Sequence, residues 1–408
     1  MYTLSWTLLR SVAYLTFAFT FVSSAGLSTS SLHQTYRIPS KVQNGTAHAR
    51  FEVDTFGGNL SLSSRQSFDA PQVNRINSDS FDWWYFDVVD EYNPLISLVV
   101  TFFTSSASAF PFLDPNEDSV LTAYVWVSFG NGPSWAGYLP ASLALVDIGG
   151  KQASLGIWEG SGFQWNALKE DLSAYEVVID APELEIKGRL DLVARSPLHL
   201  PCGIRENITS LQIAPHIGWV SLVPDAVGSV DMTIQDTQMK FQGVAYHDKN
   251  WSDRNFTDSV RSWYWGHGRL GLYSIVWFSY LAINDPTNTT YVSSYVAHNG
   301  EVLISECDDS LLTVRPTGRS NTTGDRYPAF VGDLPDGFKL DFVLPENTRL
   351  RVNVSTRVKV AGDGEYDMRW TGNMTGEVVE MNPSPVIQES SLTGVAVFEQ
   401  FHMQEQDP

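Results

Sequence analysis

Leu-Thr-Ala-Tyr-Val-Trp-Val-Ser-Phe, residues 121–129, alternates its strongly apolar positions with a period of two. That period belongs to a strand, whose successive side chains leave on opposite faces, and not to a helix, which repeats every ~3.6 residues. Residues 184–193, Leu-Glu-Ile-Lys-Gly-Arg-Leu-Asp-Leu-Val, carry the same rhythm. One face of each run reads as wet and the other as dry. Comparable runs fall at 95–104, 175–179, 263–270, 273–281, 291–298, 338–343, 350–360, 374–380 and 395–401. Between them lie Asn131-Gly132-Pro133, Gly149-Gly150, Asn284-Asp285-Pro286, Asn299-Gly300, Asp336-Gly337 and Gly362-Asp363-Gly364, residue types that favour turns. Asn299-Gly300 is the clearest hairpin signal. Helical periodicity is scarce, and one short helix is expected over 166–172.

Many short strands with regular turns specify an all-β chain of sandwich or barrel type. At 408 residues the chain exceeds the usual reach of one hydrophobic core. The expected organisation is a signal peptide over 1–25, an N-terminal β domain over 26–225 and a C-terminal β domain over 226–408, packed side by side. The division is placed in the Pro- and Gly-containing stretch 215–231. Phe81-Asp82-Trp83-Trp84-Tyr85-Phe86-Asp87 opens the first long β block, and Ser262-Trp263-Tyr264-Trp265-Gly266-His267 echoes it at the start of a later one.

Charged residues make up only 18% of the chain, and the formal net charge is -20. Such a field repels phosphate-bearing partners, so nucleic-acid binding is not expected. Arg10, the apolar run 12–22 and Ser23-Ser24-Ala25 read as a cleavable leader. No later segment reaches the ~20 apolar residues of a membrane span. Sequons at Asn44, Asn59, Asn207, Asn288, Asn321, Asn353 and Asn373 fit a secreted glycoprotein, while Asn250 and Asn255 flank a candidate site and are expected to stay unmodified. Cys202 and Cys307 are the two cysteines; in an oxidising compartment they can pair, and otherwise they are small buried hydrophobes.

Zinc-protease, serine-hydrolase, dithiol and phosphate-loop signatures are missing from the sequence. What remains is an aromatic and polar constellation. Tyr246-His247-Asp248-Lys249-Asn250-Trp251 packs a phenol, an imidazole, a carboxylate, an ammonium and an amide into consecutive positions. On a strand, Tyr246, Asp248 and Asn250 share one face and His247 and Lys249 the other, so only one subset can line a given cavity. A solvated turn with an Asp-Lys pair is the competing reading. Trp83, Tyr85 and Asp87 likewise share a face, and a carboxylate beside Trp and Tyr sits in low dielectric, which favours its proton-carrying form. Alternatively, Asp87 simply ends a strand. Trp265 and His267 share a face that Trp277 could reach from the next strand. The chain holds 13 Trp, more than packing demands, because each indole N–H wants a partner.

The segments at 83–87, 246–251 and 263–267 resemble those of the fungal Diels–Alderase family, related to bacterial carotenoid 1,2-hydratase-like proteins. The closest likeness in character is to secreted hetero-Diels–Alderases of tropolone–sesquiterpene meroterpenoid pathways. The resemblance implies two lipocalin-like β domains, no metal or organic cofactor, and a small hydrophobic polyketide- or terpene-derived substrate. It implies ring formation by a pericyclase, with Tyr246, His247, Asp248, Lys249 and His267 as catalytic candidates. Trp83, Tyr85, Asp87, Trp251, Trp263, Trp265 and Trp277 are the substrate-binding candidates. The rival expectations are an isoprenoid hydratase or dehydratase, a non-catalytic lipocalin-like carrier, and a glycoside hydrolase.

Overall fold

The computed structural model describes residues 33–112, 119–131, 134–283, 285–318, 327–329, 331–362, 364, 366–380 and 391–403. The expected leader and Asn321 lie outside these residues. Nearly all regular structure is antiparallel β, as the alternating pattern requires.

A thirteen-stranded sheet runs from Gln34–Pro39 through Leu143–Ile148, Ser154–Glu159, Phe163–Ala167, Ala174–Ala181, Ile186–Ala194, Ile217–Ile234, Thr237–Ser252, Phe81–Asp90, Ile96–Ser105 and Leu121–Phe129 to Ser134–Pro140, with Gln212–Ala214 as a side branch. A nine-stranded sheet follows the order Glu301–Glu306, Thr290–His298, Tyr273–Ala282, Val260–Leu270, Leu392–His402, Asp367–Glu380, Thr348–Ala361, Gly337–Leu344, Leu312–Thr317. Both sheets curl. Residues 225 and 226, between which the halves were expected to divide, lie inside the strand Ile217–Ile234, and the chain crosses to the second sheet between Ser252 and Val260.

Three apolar clusters explain the curl. Trp84, Phe86, Trp165, Tyr175 and Leu190 belong to a core within the first sheet. Tyr264, Trp277, Phe338, Leu350 and Phe398 form the equivalent core of the second. A third cluster, with Trp83, Tyr85, Phe103 and Tyr124 from the first sheet and Trp263, Trp265, Phe278 and Phe401 from the second, lies between them. Each central strand is thus buried on both faces. The non-aliphatic face of Leu121–Phe129, expected to be wet, looks into this shared cluster with Tyr124 and Trp126.

Asn299-Gly300 makes the expected hairpin turn: both residues have positive φ, 50° and 85°, and His298 pairs with Glu301 across it. Such a two-residue turn matches the twist of its strands. The helix expected over 166–172 is not there. Residues through Ala167 complete the strand Phe163–Ala167, with Asn166 opposite Glu176, and Leu172 takes φ 60° in the turn that follows. Cross-strand pairing therefore overrides a short helical pattern; the one described α-helix is Leu62–Gln66, capped by Ser61.

Cys202 and Cys307 are joined by a disulfide across 105 residues of sequence. A loop of that length is worth about 4.7 kcal/mol in the chain-entropy treatment. Asn44, Asn59, Asn207, Asn288 and Asn353 are exposed and Asn373 is partly buried. Asn250, at 3% exposure, is closed to modification. Among the described residues no helix is long and apolar enough to cross a membrane.

Candidate active site

The alternation of Phe81–Asp90 sends Trp83, Tyr85 and Asp87 to the shared cluster and Trp84 and Phe86 into the first core. Its neighbour Thr237–Ser252 pairs in register, Tyr246 with Asp87, Asp248 with Tyr85 and Asn250 with Trp83. Tyr246, Asp248 and Asn250 therefore come to the same side. Opposite them, Val260–Leu270 presents Trp263, Trp265 and His267. The two echoing motifs face each other across a cavity of about 400 Å³.

Aromatic rings form most of its wall. Trp83, Tyr85, Tyr124 and Trp126 come from the first sheet, Trp263, Trp265 and Phe401 from the second, and Phe110 and Phe112 from a connecting loop. Tyr85 and Trp265 meet edge to face at 5.5 Å, and Tyr124 and Trp126 stack at 5.1 Å. The polar groups are few. Asp248, Asn250, Arg369 and Glu399 are the principal ones.

Asp248 is buried, and its Oδ2 accepts from Trp219 Nε1 at 2.8 Å and from the Tyr246 hydroxyl at 2.9 Å. Asn250 Nδ2 reaches Oδ1 at 3.2 Å. Burial pushes the carboxyl up to about 8; hydrogen bonds from Trp219 and Tyr246 oppose the rise, and the charges of Glu399 and Asp87 reinforce it. At neutral pH Asp248 is a carboxylic acid. With Oδ2 receiving two donors, the acidic hydrogen belongs on Oδ1. Asn250 Oδ1 and Trp263 Nε1 are buried without partners among the described residues, leaving an acceptor and a donor for a guest.

Behind this wall stands a second polar layer. Tyr85 donates to Asp87 Oδ2 at 2.6 Å, and His267 Nε2 sits 2.9 Å from both Asp87 oxygens, which places its proton on Nε2. The His267 ring stacks on Tyr246 at 4.3 Å. Burial and the neighbouring carboxylates hold the Tyr85 and Tyr246 hydroxyls well above the ordinary phenol range, so both act as donors. Arg369 donates through Nε to Glu399 Oε2 at 2.9 Å and again through Nη2, and its guanidinium lies 4.7 Å from the Tyr85 ring. Burial disfavours that charge, yet Glu399 outweighs it and holds Arg369 above its usual value.

Of the residues singled out by sequence, the cavity gathers Asp248, Trp83, Tyr85, Trp263 and Trp265, with Tyr246, Asp87 and His267 directly behind. Four do not reach it. His247 turns into the first core, stacked on Phe86 at 3.9 Å and donating from Nδ1 to the Tyr85 carbonyl at 2.8 Å. Lys249, on the same face, lies 3.5 Å over the Trp84 ring and pairs with Asp82 at 3.0 Å. Trp251 donates to the Arg50 carbonyl at 2.8 Å within that core. Trp277 belongs to the second core: it pairs with Gly266, not Trp265, and its ring occupies the space a Cβ at Gly266 would need, 2.2 Å away. The sequence reading missed Trp219, Arg369, Glu399, Phe103, Phe110, Phe112, Phe401, Tyr124 and Trp126. Tyr124, Trp126, Phe103, Glu399 and Phe401 carried a signal, the strand runs 121–129, 95–104 and 395–401; Trp219, Arg369, Phe110 and Phe112 carried none.

The raised acid implies a pH dependence of stability. The folded chain keeps the Asp248 proton up to about pH 8, whereas an unfolded Asp releases it near 4. The folded state thus binds more protons between these values, so this contribution is complete below about pH 4 and is lost as pH rises through 8. Asp82, lifted by burial to about 6, acts in the same direction below that value; Lys249, lowered by burial to about 8, acts in the opposite direction, adding stability as pH rises above 8. His199, lowered by burial to about 3, opposes Asp248 up to about pH 6.5, so the window in which Asp248 dominates is about pH 7 to 8. Urea unfolding of Asp248→Asn is expected to be flatter than wild type across this window, by up to about 1.4 kcal/mol per pH unit, and the variant to be the more stable at pH 8.

Comparison with known proteins identifies relatives of the chain and of its fold. The chain is 30% identical over 340 residues, 82% of its length, to the quinolone epoxide rearrangement protein asqO of Emericella nidulans, 89% of which is covered. It is 24% identical over 281 residues, 65% of the chain, to the Diels-Alderase poxQ of Penicillium oxalicum, 61% of which is covered. The crystal structure of CghA with Sch210972 shares the fold with a TM-score of 0.68 at 16% identity, over 92% of this chain and 100% of that one. Residues 42–381 match the family described as Diels-Alderase-like, and with most of its length so matched the chain belongs to the Diels-Alderase-like family.

Proposed function

We propose that this protein is a cofactor-independent cyclase, a pericyclase that closes a ring by Diels–Alder or hetero-Diels–Alder addition on a small unsaturated apolar substrate. The observation that carries the reading is Asp248: a carboxyl that keeps its proton at neutral pH, set in an aromatic wall and held by Trp219 and Tyr246. A cycloaddition needs no nucleophile. Its barrier falls when diene and dienophile are kept in contact, and flat Trp and Tyr walls do that without competing for protons. A hydrogen bond from the Asp248 acid to a carbonyl of the electron-poor partner withdraws electron density and strengthens as charge develops. Where the diene is an ortho-quinone methide made in place from a hydroxymethyl phenol, the same acid protonates the departing hydroxyl and its carboxylate then takes up the phenol proton, so that one water is lost and the acid is restored.

A second reading, acid-assisted rearrangement without a second reactant, is favoured by the identity to quinolone epoxide rearrangement proteins. It uses the same proton. Passage through the secretory pathway belongs to the proposal as well; the Cys202–Cys307 bridge and the exposed sequons Asn44, Asn59, Asn207, Asn288 and Asn353 support it.

The test incubates the purified chain with a hydroxymethyl-phenol precursor plus a terpene olefin, and separately with a linear polyene carrying a terminal dienophile. Rate and stereoisomer ratio are compared with protein-free controls. Acceleration with one favoured stereoisomer is expected in at least one pair. Rates and ratios equal to the controls would leave only a carrier, and gain or loss of water without ring closure would make it a hydratase or dehydratase.

A further inference from the structure

On the far side of strand Phe81–Asp90 from the aromatic wall, Asp82 and Thr104 look into another cavity, of about 500 Å³, bounded by the N-terminal strand Gln34–Pro39 and the loops that carry residues 43–50 and 71–76. Its charges are unusual for a chain of net charge -20. Arg37, Arg50 and Arg75 converge on it together with His48. Arg50 donates to the Glu52 carbonyl at 3.0 Å and the Ser67 hydroxyl at 2.9 Å, and Arg75 to the Asn44 carbonyl at 2.8 Å. These partners are neutral. Among the described residues none of the three guanidinium groups has a carboxylate within ion-pair distance. Asp54 acts on Arg50 only through space, and Asp82, the carboxylate in the cavity wall, is taken by Lys249 and by the Gln72 N–H at 2.7 Å. Among the described residues Arg75 Nε is buried without a hydrogen-bond partner.

Arg50 and Arg75 are partly buried and Arg37 is exposed; a guanidinium partly withdrawn from water gains from a counter-charge, and a carboxylate meets its planar fork with two parallel hydrogen bonds. Ile38, Pro39, Ala49, Val73 and Ile76 supply apolar wall, interspersed with Gln43, Gln72, Asn74 and Thr104. We propose that this cavity is a second binding site, for a small carboxylate with an apolar body, whose acid end lies between Arg50 and Arg75. Its volume is within the range of small-molecule sites. Asp82 in its wall is already paired with Lys249, which offsets its repulsion of a ligand carboxylate.

Dodecanoate is the probe. Calorimetric titration of the full chain is expected to show one saturable event that weakens at least tenfold in Arg50→Gln/Arg75→Gln and weakens with added salt. It is expected to stay within twofold in Trp263→Ala, which alters the aromatic cavity instead. Dodecanol, matched in body but uncharged, should bind wild type at least tenfold more weakly. Should the double variant fail to fold, Arg37→Gln, an exposed change, is expected to weaken dodecanoate about threefold. Absence of saturable binding up to millimolar dodecanoate, binding indifferent to the arginine changes, or binding lost in Trp263→Ala would each overturn the proposal.

Discussion

Asp248→Ala is expected to lower the ring-closing rate by about 10²–10³, the usual cost of removing a preorganised donor from a transition state, while leaving substrate binding within a few-fold. Asp248→Asn separates the two roles of the acid. An amide still donates a hydrogen bond but cannot release its proton, so a loss of about tenfold is expected for a preformed diene and polarised dienophile. The loss should approach that of alanine when the diene must first be made by expelling water. The pH profile is the companion measurement. The wild-type rate is expected to be flat up to neutrality and to fall as pH rises through about 8, where the carboxyl ionises. A flat profile to pH 10, or an alanine variant as fast as wild type, would remove Asp248 from the chemistry.

Lys249 is expected to be a stability residue. Lys249→Met leaves Asp82 buried without its counter-charge, 1% exposed and held only by the Gln72 and Val73 N–H groups, and removes an ammonium that lies against Trp84. Breaking a buried pair in this way costs about 3–5 kcal/mol. Equilibrium urea unfolding should show that loss, and Lys249→Met/Asp82→Asn should recover most of it because no lone charge remains. The turnover of the folded fraction should stay within threefold of wild type, since the side chain faces away from the aromatic cavity. A variant that folds with full stability yet loses turnover would return Lys249 to catalysis.

The contrast between Asp248 and Lys249, adjacent in sequence and opposite in role, shows what was legible in the sequence. Alternation sorted Tyr246, Asp248 and Asn250 from His247 and Lys249 correctly, because a pleated strand leaves no other choice. It did not say which face meets which core. Trp251 and Trp277 obey the same periodicity as Trp83 and Trp263 and fill solid packing instead. The registers that bring Trp83 opposite Asn250, and Trp277 opposite Gly266, are set by turns and partner strands that local pattern does not reveal. Arg369 and Glu399 are the extreme case. Thirty residues apart, they meet only because Asp367–Glu380 and Leu392–His402 pair with these two positions opposed.

That Asp248 rides on one sheet while much of the opposing wall rides on the other has a consequence for diversification. Substitutions at Trp263, Trp265, Arg369 and Phe401 can remodel the shape offered to a guest while the strand bearing Asp248 keeps its donors and its proton. Such a division of labour lets one scaffold be retargeted to new carbon skeletons by changing half of the mould.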